Sequence, residues 1–414
     1  MLSTKISPRG ILVSATAIGI GACVSVSSQR GGGGNVPVVR GVYKPGATQI
    51  VRIALETAAK AGTFSGTGSW KIIHGDAATA KNAMEEFPLD SLTGVLREGT
   101  TVEPGEGSFV VWNGKKYRGS LRIAATDSGF LVINELPMDS YLRGVVPLEI
   151  GNRTAAEIAA VQAQAVAART YAYKHLSSAR AFDMYATVQD QVYGGVDAEK
   201  ALSDSAIAST ADIVVLYNGQ PISTPYHSTC GGSTAAVTEV WYNQQDEPYL
   251  RPVSDHIPGS DHFYCDPSPR FSWTQSYDAA GLRAAMEKYL SSYTSAPKTG
   301  IGKITDIRED GRTPSGRIRA LAVQTESGTY SLRGNDIRFV LRDPKGAILN
   351  STYFNFQESK ADGEVSSLTI TGRGYGHGIG MCQWGAIGRA RAGQNFRTIL
   401  ETYYPGTTIG RIAG

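Results

Sequence analysis

Basic residues never gather into a run in this 414-residue chain, and 40 Lys and Arg stand against 37 Asp and Glu for a net charge of +3. The basic stripe that marks a nucleic-acid binder is missing, which argues against that class of partner. Long apolar runs are missing as well. The stretch Gly10 to Ala22 is far below the roughly 20 residues that a spanning helix needs. Cysteine is sparse, at four residues: Cys23, Cys230, Cys265 and Cys382. No internal repeat is visible. The most glycine-rich segment, 372–386, opens no helix with a GxGxxG register and carries no GK[ST], so neither dinucleotide nor P-loop chemistry is indicated there.

Glycine, in contrast, is abundant at 48 residues, which suits a turn-rich, strand-heavy protein. The N-terminus reads as an export signal, with Lys5 and Arg9 ahead of the short apolar core. That core ends Ile20-Gly21-Ala22-Cys23, which resembles a bacterial lipoprotein box with Cys23 as the acylated residue. The alternative is an ordinary signal peptide cut near Ala22. A Ser, Gln and Gly tract follows, so 1–23 is expected to be signal and 24–36 a flexible tether. In an exported protein, two of the three remaining cysteines can oxidise and leave one over.

The pattern beyond predicts an α+β fold, a strand-rich composite domain with a few helices around a substrate groove. Residues 37–135 form its β part, with candidate strands at 49–55, 108–112, 120–124 and 130–134. Some of these alternate and others are continuous apolar runs. Thr154-Ala155-Ala156-Glu157 is a capping box. Behind it Ile158, Val161, Ala165, Ala168 and Ala172 make one apolar stripe at helical spacing. Arg169 lies on another face, either as a surface ion pair or as a functional cation. Residues 200–240 alternate a short helix with strands. A β insertion is expected at 266–365, between core segments 136–265 and 366–414. A short helix follows at 386–392, and a turn closes the chain at 403–406.

Three features point to chemistry. Glycine occupies every second position from Gly372 to Gly380. Read as a strand, this segment has one bare face and one carrying Thr369, Thr371, Arg373, Tyr375 and His377, which suits the floor of a binding groove. A tight strand-to-helix corner is the other reading. Glu149 stands among Pro147, Leu148 and Ile150, between an apolar strand and the capped helix. Apolar surroundings raise a carboxyl pKa and suit a general acid for glycosidic cleavage, although a lone loop glutamate is more often solvated. Finally, His227-Ser-Thr-Cys230 and His262-Phe-Tyr-Cys265 are two HxxC units. Two imidazoles and two thiolates make a closed structural zinc set, and a Cys230–Cys265 disulfide is the competing reading.

Taken in order, Tyr141-Leu-Arg-Gly-Val-Val-Pro-Leu-Glu149, the 163–172 helix, Gln191-Val-Tyr-Gly-Gly195, Tyr226-His-Ser-Thr-Cys-Gly-Gly232, Gly376-His-Gly-Ile-Gly-Met-Cys-Gln-Trp-Gly-Ala386 and Tyr404-Pro-Gly406 resemble the stage II sporulation protein D family (SpoIID/LytB domain). The likeness runs from about residue 50 to the C-terminus. It implies a lytic transglycosylase of peptidoglycan glycan strands, with Glu149 as acid and base and substrate contacts from Arg169, Gln191, Tyr193, Ser228, Tyr375, His377 and Gln383. It also implies a cysteine and histidine zinc site in some members. The chain departs from the family pattern at Asp139-Ser140, and at Cys230 and Cys382, where serine is frequent. One branch of the family enhances a partner amidase, so a non-catalytic wall-binding role is the second expectation. No partner carboxylate is evident near Glu149 beyond Asp139 and Asp190. The expected location is the cell envelope, through a lipid on Cys23.

Overall fold

The computed structural model describes residues 49–92 and 99–412; the signal, the tether and Cys23 lie outside the described residues. The fold is α+β. Its first layer is a seven-stranded sheet in the order Met184–Tyr185, Ile50–Ala59, Gly129–Pro137, Ser120–Thr126, Thr100–Pro104, Trp70–His74 and Ala77–Lys81. Strand 120–126 alternates because one face alone is covered: Leu121 and Ile123 are buried and their neighbours are not. Strand 129–137 reads as a continuous apolar run because both faces are covered. Val132 and Leu136 join the main core, while Leu131 and Ile133 pack with Ala54, Phe182 and Tyr185 behind the sheet.

The sheet leads directly into helix α1 (Met138–Ile150). Glu149 is therefore in the last turn of a helix, not in a loop as its sequence neighbours suggested. Pro147 sits inside this helix, and Gly151 (φ 74°) ends it by returning its N–H to the Pro147 carbonyl at 3.1 Å. Gly144 is needed in α1 because a Cβ there would run into the Tyr193 ring and the Gly195 carbonyl.

The capping box forms as expected. The Thr154 N–H reaches Glu157 Oε2 at 2.8 Å, ahead of α2 (Ile158–His175). The single apolar stripe expected for α2 is too narrow: every residue from 163 to 172 is buried. Alanine permits this, since small side chains let α1, α3 (Ala201–Ser209) and strand Ile213–Tyr217 close around the helix.

A second apolar cluster is built from residues between Tyr277 and Ile370. It gathers α5 (Ala279–Tyr289), α6 (Asp336–Val340) and two three-stranded sheets; the short α4 (Val237–Val240) precedes it in the first body. One of those sheets is ordered Ser272–Asp278, Glu364–Arg373, Phe354–Ala361, with Ser272 opposite Arg373. The chain then returns to the first core through α7 (Gln383–Arg391) and α8 (Phe396–Tyr403). The expected 386–392 helix thus starts earlier. The second of these helices went unseen, although Asn395 caps it by accepting from the Arg397 and Thr398 N–H groups at 3.0 and 3.1 Å.

The glycine ladder is not the bare strand expected. The strand stops at Arg373, with Leu368 and Ile370 inward as read. Beyond it Gly374, Gly376, Gly378 and Gly380 have φ of 80°, 118°, 88° and 69°. The period of two is an alternation of backbone sign, which only glycine adopts without strain. These residues also press against segment 225–230. A Cβ on Gly374 would lie 2.8 Å from the Thr229 carbonyl, and one on Gly376 would lie 2.8 Å from His227 Cβ. The segment is a buried seam between two chain stretches, not a groove floor.

Candidate functional site

Glu149 is 2% exposed at the end of α1. Its Oε1 accepts from the Val192 N–H at 3.1 Å. That backbone group is in place because the 191–195 turn is pinned to α1 from two sides. The Gly194 N–H donates to the Gly144 carbonyl at 3.0 Å, and the Tyr193 hydroxyl donates to Asn134 Oδ1 at 2.8 Å. Burial pushes the Glu149 carboxyl up from 4.5 to about 8, and hydrogen bonding from Val192, Tyr226 and Gln383 offsets part of that rise. No second carboxylate contributes to the shift. At neutral pH the group therefore holds its proton, the state an acid catalyst needs.

A chain of neutral groups surrounds it. The Tyr141 hydroxyl donates to Gln191 Oε1 at 3.1 Å, and Gln191 Nε2 donates to the Tyr226 hydroxyl at 2.9 Å. Gln383, the first residue of α7, donates to Gln164 Oε1 at 3.3 Å, while its own Oε1 and Gln164 Nε2 have no protein partner. Two residues beyond Glu149 a cleft of ≈ 210 Å³ begins, lined by Gly151, Asn152, Arg153, Lys200, Leu202 and Ser203. It brings two cationic side chains near the end of α1.

Several expected substrate contacts are occupied elsewhere. Arg169 is 1% exposed and donates to the carbonyls of Thr210 at 2.8 Å, Ile213 at 3.2 Å and Ile207 at 3.3 Å, besides pairing with Asp139 at 3.1 Å. It ties α2 to the end of α3, and its guanidinium is not free to fork onto a substrate carboxylate. Gln191 and Tyr193 are likewise buried, and act on Tyr226 and Asn134. His377 donates from Nε2 to the Tyr226 carbonyl at 2.9 Å and accepts at Nδ1 from the Ile379 N–H at 3.0 Å. Both ring nitrogens are used, and burial lowers its pKa to about 3, so it is neutral and facing backbone. Tyr375 is half-buried beneath the Arg270 guanidinium, 4.2 Å from the ring centre. Ser228 is buried, and its carbonyl accepts from the Trp384 N–H at 3.0 Å. Of the expected contacts, Gln383 alone is placed against Glu149.

Asp139 and Asp190 are also committed. Asp139 holds Arg169, and Asp190 accepts from the Tyr171 hydroxyl at 2.9 Å and the Tyr185 N–H at 2.8 Å.

The two HxxC units do not converge. The His262 side chain is 77% exposed and meets Asp266 at 3.0 Å, and His227 Nδ1 faces the Ile379 carbonyl at 3.1 Å. Cys230 and Cys265 do meet, with Sγ atoms 3.6 Å apart, but their neighbours are Asp255 and Cys382. Matched local spacing misled here because His262 sits on an exposed turn. Cys382 stood in a quoted motif but was not read as a ligand, and Asp255 belongs to neither HxxC unit. Tyr226 and Gln164 were missed as neighbours of Glu149; Tyr226 opens one of the motifs quoted above, which was the available clue.

Comparison with known proteins matches residues 126–217 to a family described as stage II sporulation protein, and residues 259–380 to a domain of unknown function, DUF8618. The chain is 32% identical over 319 residues to an uncharacterized protein of Brachyspira hyodysenteriae, covering 76% of this chain and 77% of that one. It is 30% identical over 294 residues to stage II sporulation protein D of Bacillus subtilis, covering 67% and 75%. It is also 32% identical over 294 residues to the amidase enhancer of Bacillus subtilis, covering 65% of this chain and 40% of that longer protein.

Proposed function

This chain belongs to the stage II sporulation protein D family, and we propose that it cuts peptidoglycan glycan strands by lytic transglycosylation with Glu149 as acid and then base. The observation that carries this reading is the isolated, buried carboxyl of Glu149 among neutral hydrogen-bonding groups, where burial raises its pKa. Ordinary glycosidases need two carboxyl groups, one to protonate the leaving oxygen and one to attack or to activate water. A muramyl residue carries its own nucleophile in the C6 hydroxyl. In the first step Glu149 gives its proton to the glycosidic oxygen as the C1–O bond breaks. In the second, the C6 oxygen bonds to C1 and the resulting carboxylate takes the C6 proton. Glu149 ends as it began, and the product carries a 1,6-anhydro ring. Because the attack is intramolecular, proximity replaces the second protein carboxylate.

The remaining parts follow from the same geometry. Gln383 Oε1 and Gln164 Nε2 are polar atoms without protein partners, suited to sugar hydroxyl or acetamido groups. Arg153 and Lys200 line the cleft past α1 and are the cations there that a substrate carboxylate would meet, although Arg153 also pairs with Glu157 and lies over the Trp384 ring. Peptide-free glycan strands incubated with the protein should yield products bearing 1,6-anhydro-muramyl ends by mass spectrometry. Reducing ends instead would make the protein a hydrolase, and no cleavage at all would remove the enzymatic reading.

A second reading, non-catalytic enhancement of a partner amidase, draws on the likeness to the amidase enhancer. Under it, Glu149→Gln should leave amidase stimulation intact. For location, among the described residues no helix is long and apolar enough to cross a membrane. We propose export and a lipid anchor at Cys23, to be tested by detergent partitioning of Cys23→Ser.

A further inference from the structure

Cys230, Asp255, Cys265 and Cys382 come from four separate stretches of the chain, yet each offers one ligand atom and those atoms all lie within 4.8 Å of one another. All four residues are buried. Cys230 Sγ stands 3.6 Å from Cys265 Sγ and 3.3 Å from Asp255 Oδ2. Around a tetrahedral zinc with bonds of about 2.3 Å to sulfur and about 2.0 Å to oxygen, the edges come to about 3.8 Å between sulfurs and about 3.5 Å between sulfur and oxygen. The Cys230–Cys265 and Cys230–Asp255 pairs already stand near those edges, and the remaining separations are within 4.8 Å.

The surroundings suit ionised ligands. Cys382 Sγ accepts from the Cys230 and Gly385 N–H groups, each at 3.2 Å. Asp255 uses its Oδ1 for the Tyr403 hydroxyl at 2.6 Å and Arg389 Nη2 at 3.1 Å, and turns Oδ2 toward Cys230. Such outer partners fix the direction of a metal-binding carboxylate. Three thiolates and a carboxylate carry four negative charges. A divalent ion removes two, Arg389 a third, and the buried Arg317, which donates to the Cys230 carbonyl at 3.2 Å, stands close to the fourth. A Cys230–Cys265 disulfide leaves a third thiol and a carboxylate in the same buried space.

We propose that Cys230, Asp255, Cys265 and Cys382 bind one soft divalent metal, zinc being the best match, in a closed structural site. With four protein ligands there is no open position for catalysis. The role is mechanical: the ion joins the 230, 255 and 265 stretches to Cys382, the N-cap of α7. The next residue is Gln383, so the same bond fixes the side chain that reaches Glu149. This inference is independent of the transglycosylase reading.

The test is made on the whole purified chain reconstituted with zinc. Elemental analysis should give about one zinc per chain, and X-ray absorption at the zinc edge should fit three sulfurs and one oxygen. Two sulfurs with two imidazoles would overturn the ligand set, and so would loss of metal in His262→Ala. Failure of the reduced protein to retain zinc, or a Cys230–Cys265 disulfide formed in its presence, would overturn the site. Cys382→Ser should lose the metal. Should that variant not fold, the absorption spectrum of the unsubstituted protein decides the matter without it.

Discussion

Glu149 and Asp255 are two buried carboxyl groups whose pKa burial raises, to about 8 and about 6, and they differ in the partners that meet them. Asp255 meets the Arg389 guanidinium at 3.1 Å and the Tyr403 hydroxyl at 2.6 Å. Glu149 has no ion-pair partner among the described residues, and meets instead a backbone N–H, a phenol and a carboxamide. A nearby cation favours the ionised form of a carboxyl, whereas burial without one favours the protonated form. The first arrangement holds charge in place for structure. The second holds a proton available for transfer.

The largest expected effect breaks the proton-holding side. Glu149→Gln keeps size and polarity but has no acidic proton, and release of anhydro-muramyl ends should fall about a hundredfold to ten-thousandfold. Chromatography of the released fragments measures this. Undiminished cleavage would mean that the proton comes from elsewhere. Next is the charge-holding side. Arg389→Met leaves Asp255 buried without its guanidinium and should lower stability by about 3–5 kcal/mol in urea unfolding. Pairing it with Asp255→Asn should recover part of the loss.

A third effect reads the Glu149 carboxyl through pH. Glu149 binds its proton more tightly in the folded protein, at about 8 against 4.5 in the free group. Below pH 4.5 both states are protonated and there is no penalty. As pH rises from 4.5 to 8 the unfolded chain releases a proton that the folded chain retains, so stability falls, and above about 8 the fall stops. Glu149→Gln removes this dependence. The variant should therefore unfold at higher urea than the wild type at pH 8, by on the order of a few kcal/mol, with the advantage vanishing at pH 4. The smallest effect concerns the glycine seam. Gly376→Ala forces a side chain into the φ 118° backbone against His227 and should cost about 1–3 kcal/mol in thermal unfolding.

Much of this contrast was legible before any coordinates. The apolar neighbours of Glu149 foretold its raised pKa, because a protonated carboxyl needs only the absence of a compensating charge. The capping box at Thr154 and the strands expected at 49–55 and 120–124, found at 50–59 and 120–126, depend on local chemistry and were readable for the same reason. The cluster of three cysteines and an aspartate was not. Asp255 and Cys382 are brought to Cys230 and Cys265 by tertiary packing, and no spacing rule connects them. Arg169 looked functional because it stood among alanines. Those alanines are small so that α3 can close in, and the guanidinium serves the carbonyls left at the end of α3. The glycine ladder misled most directly, since an alternation of φ sign and a bare strand face leave the same period of two in sequence.

The pairing of Ser272 with Arg373 has a consequence for how this chain can change over time. The hundred or so residues that build the second apolar cluster depart from the first body and rejoin it at neighbouring points on two adjacent strands. The entropy of closing a loop rises only slowly with its length. A segment attached in this way can be lengthened, exchanged or deleted with a short bridge in its place, while the ends it leaves behind stay in register. Such exchange would remove the Arg317 contact with the 230 stretch, but would leave α1 and the acid at its end on the same scaffold.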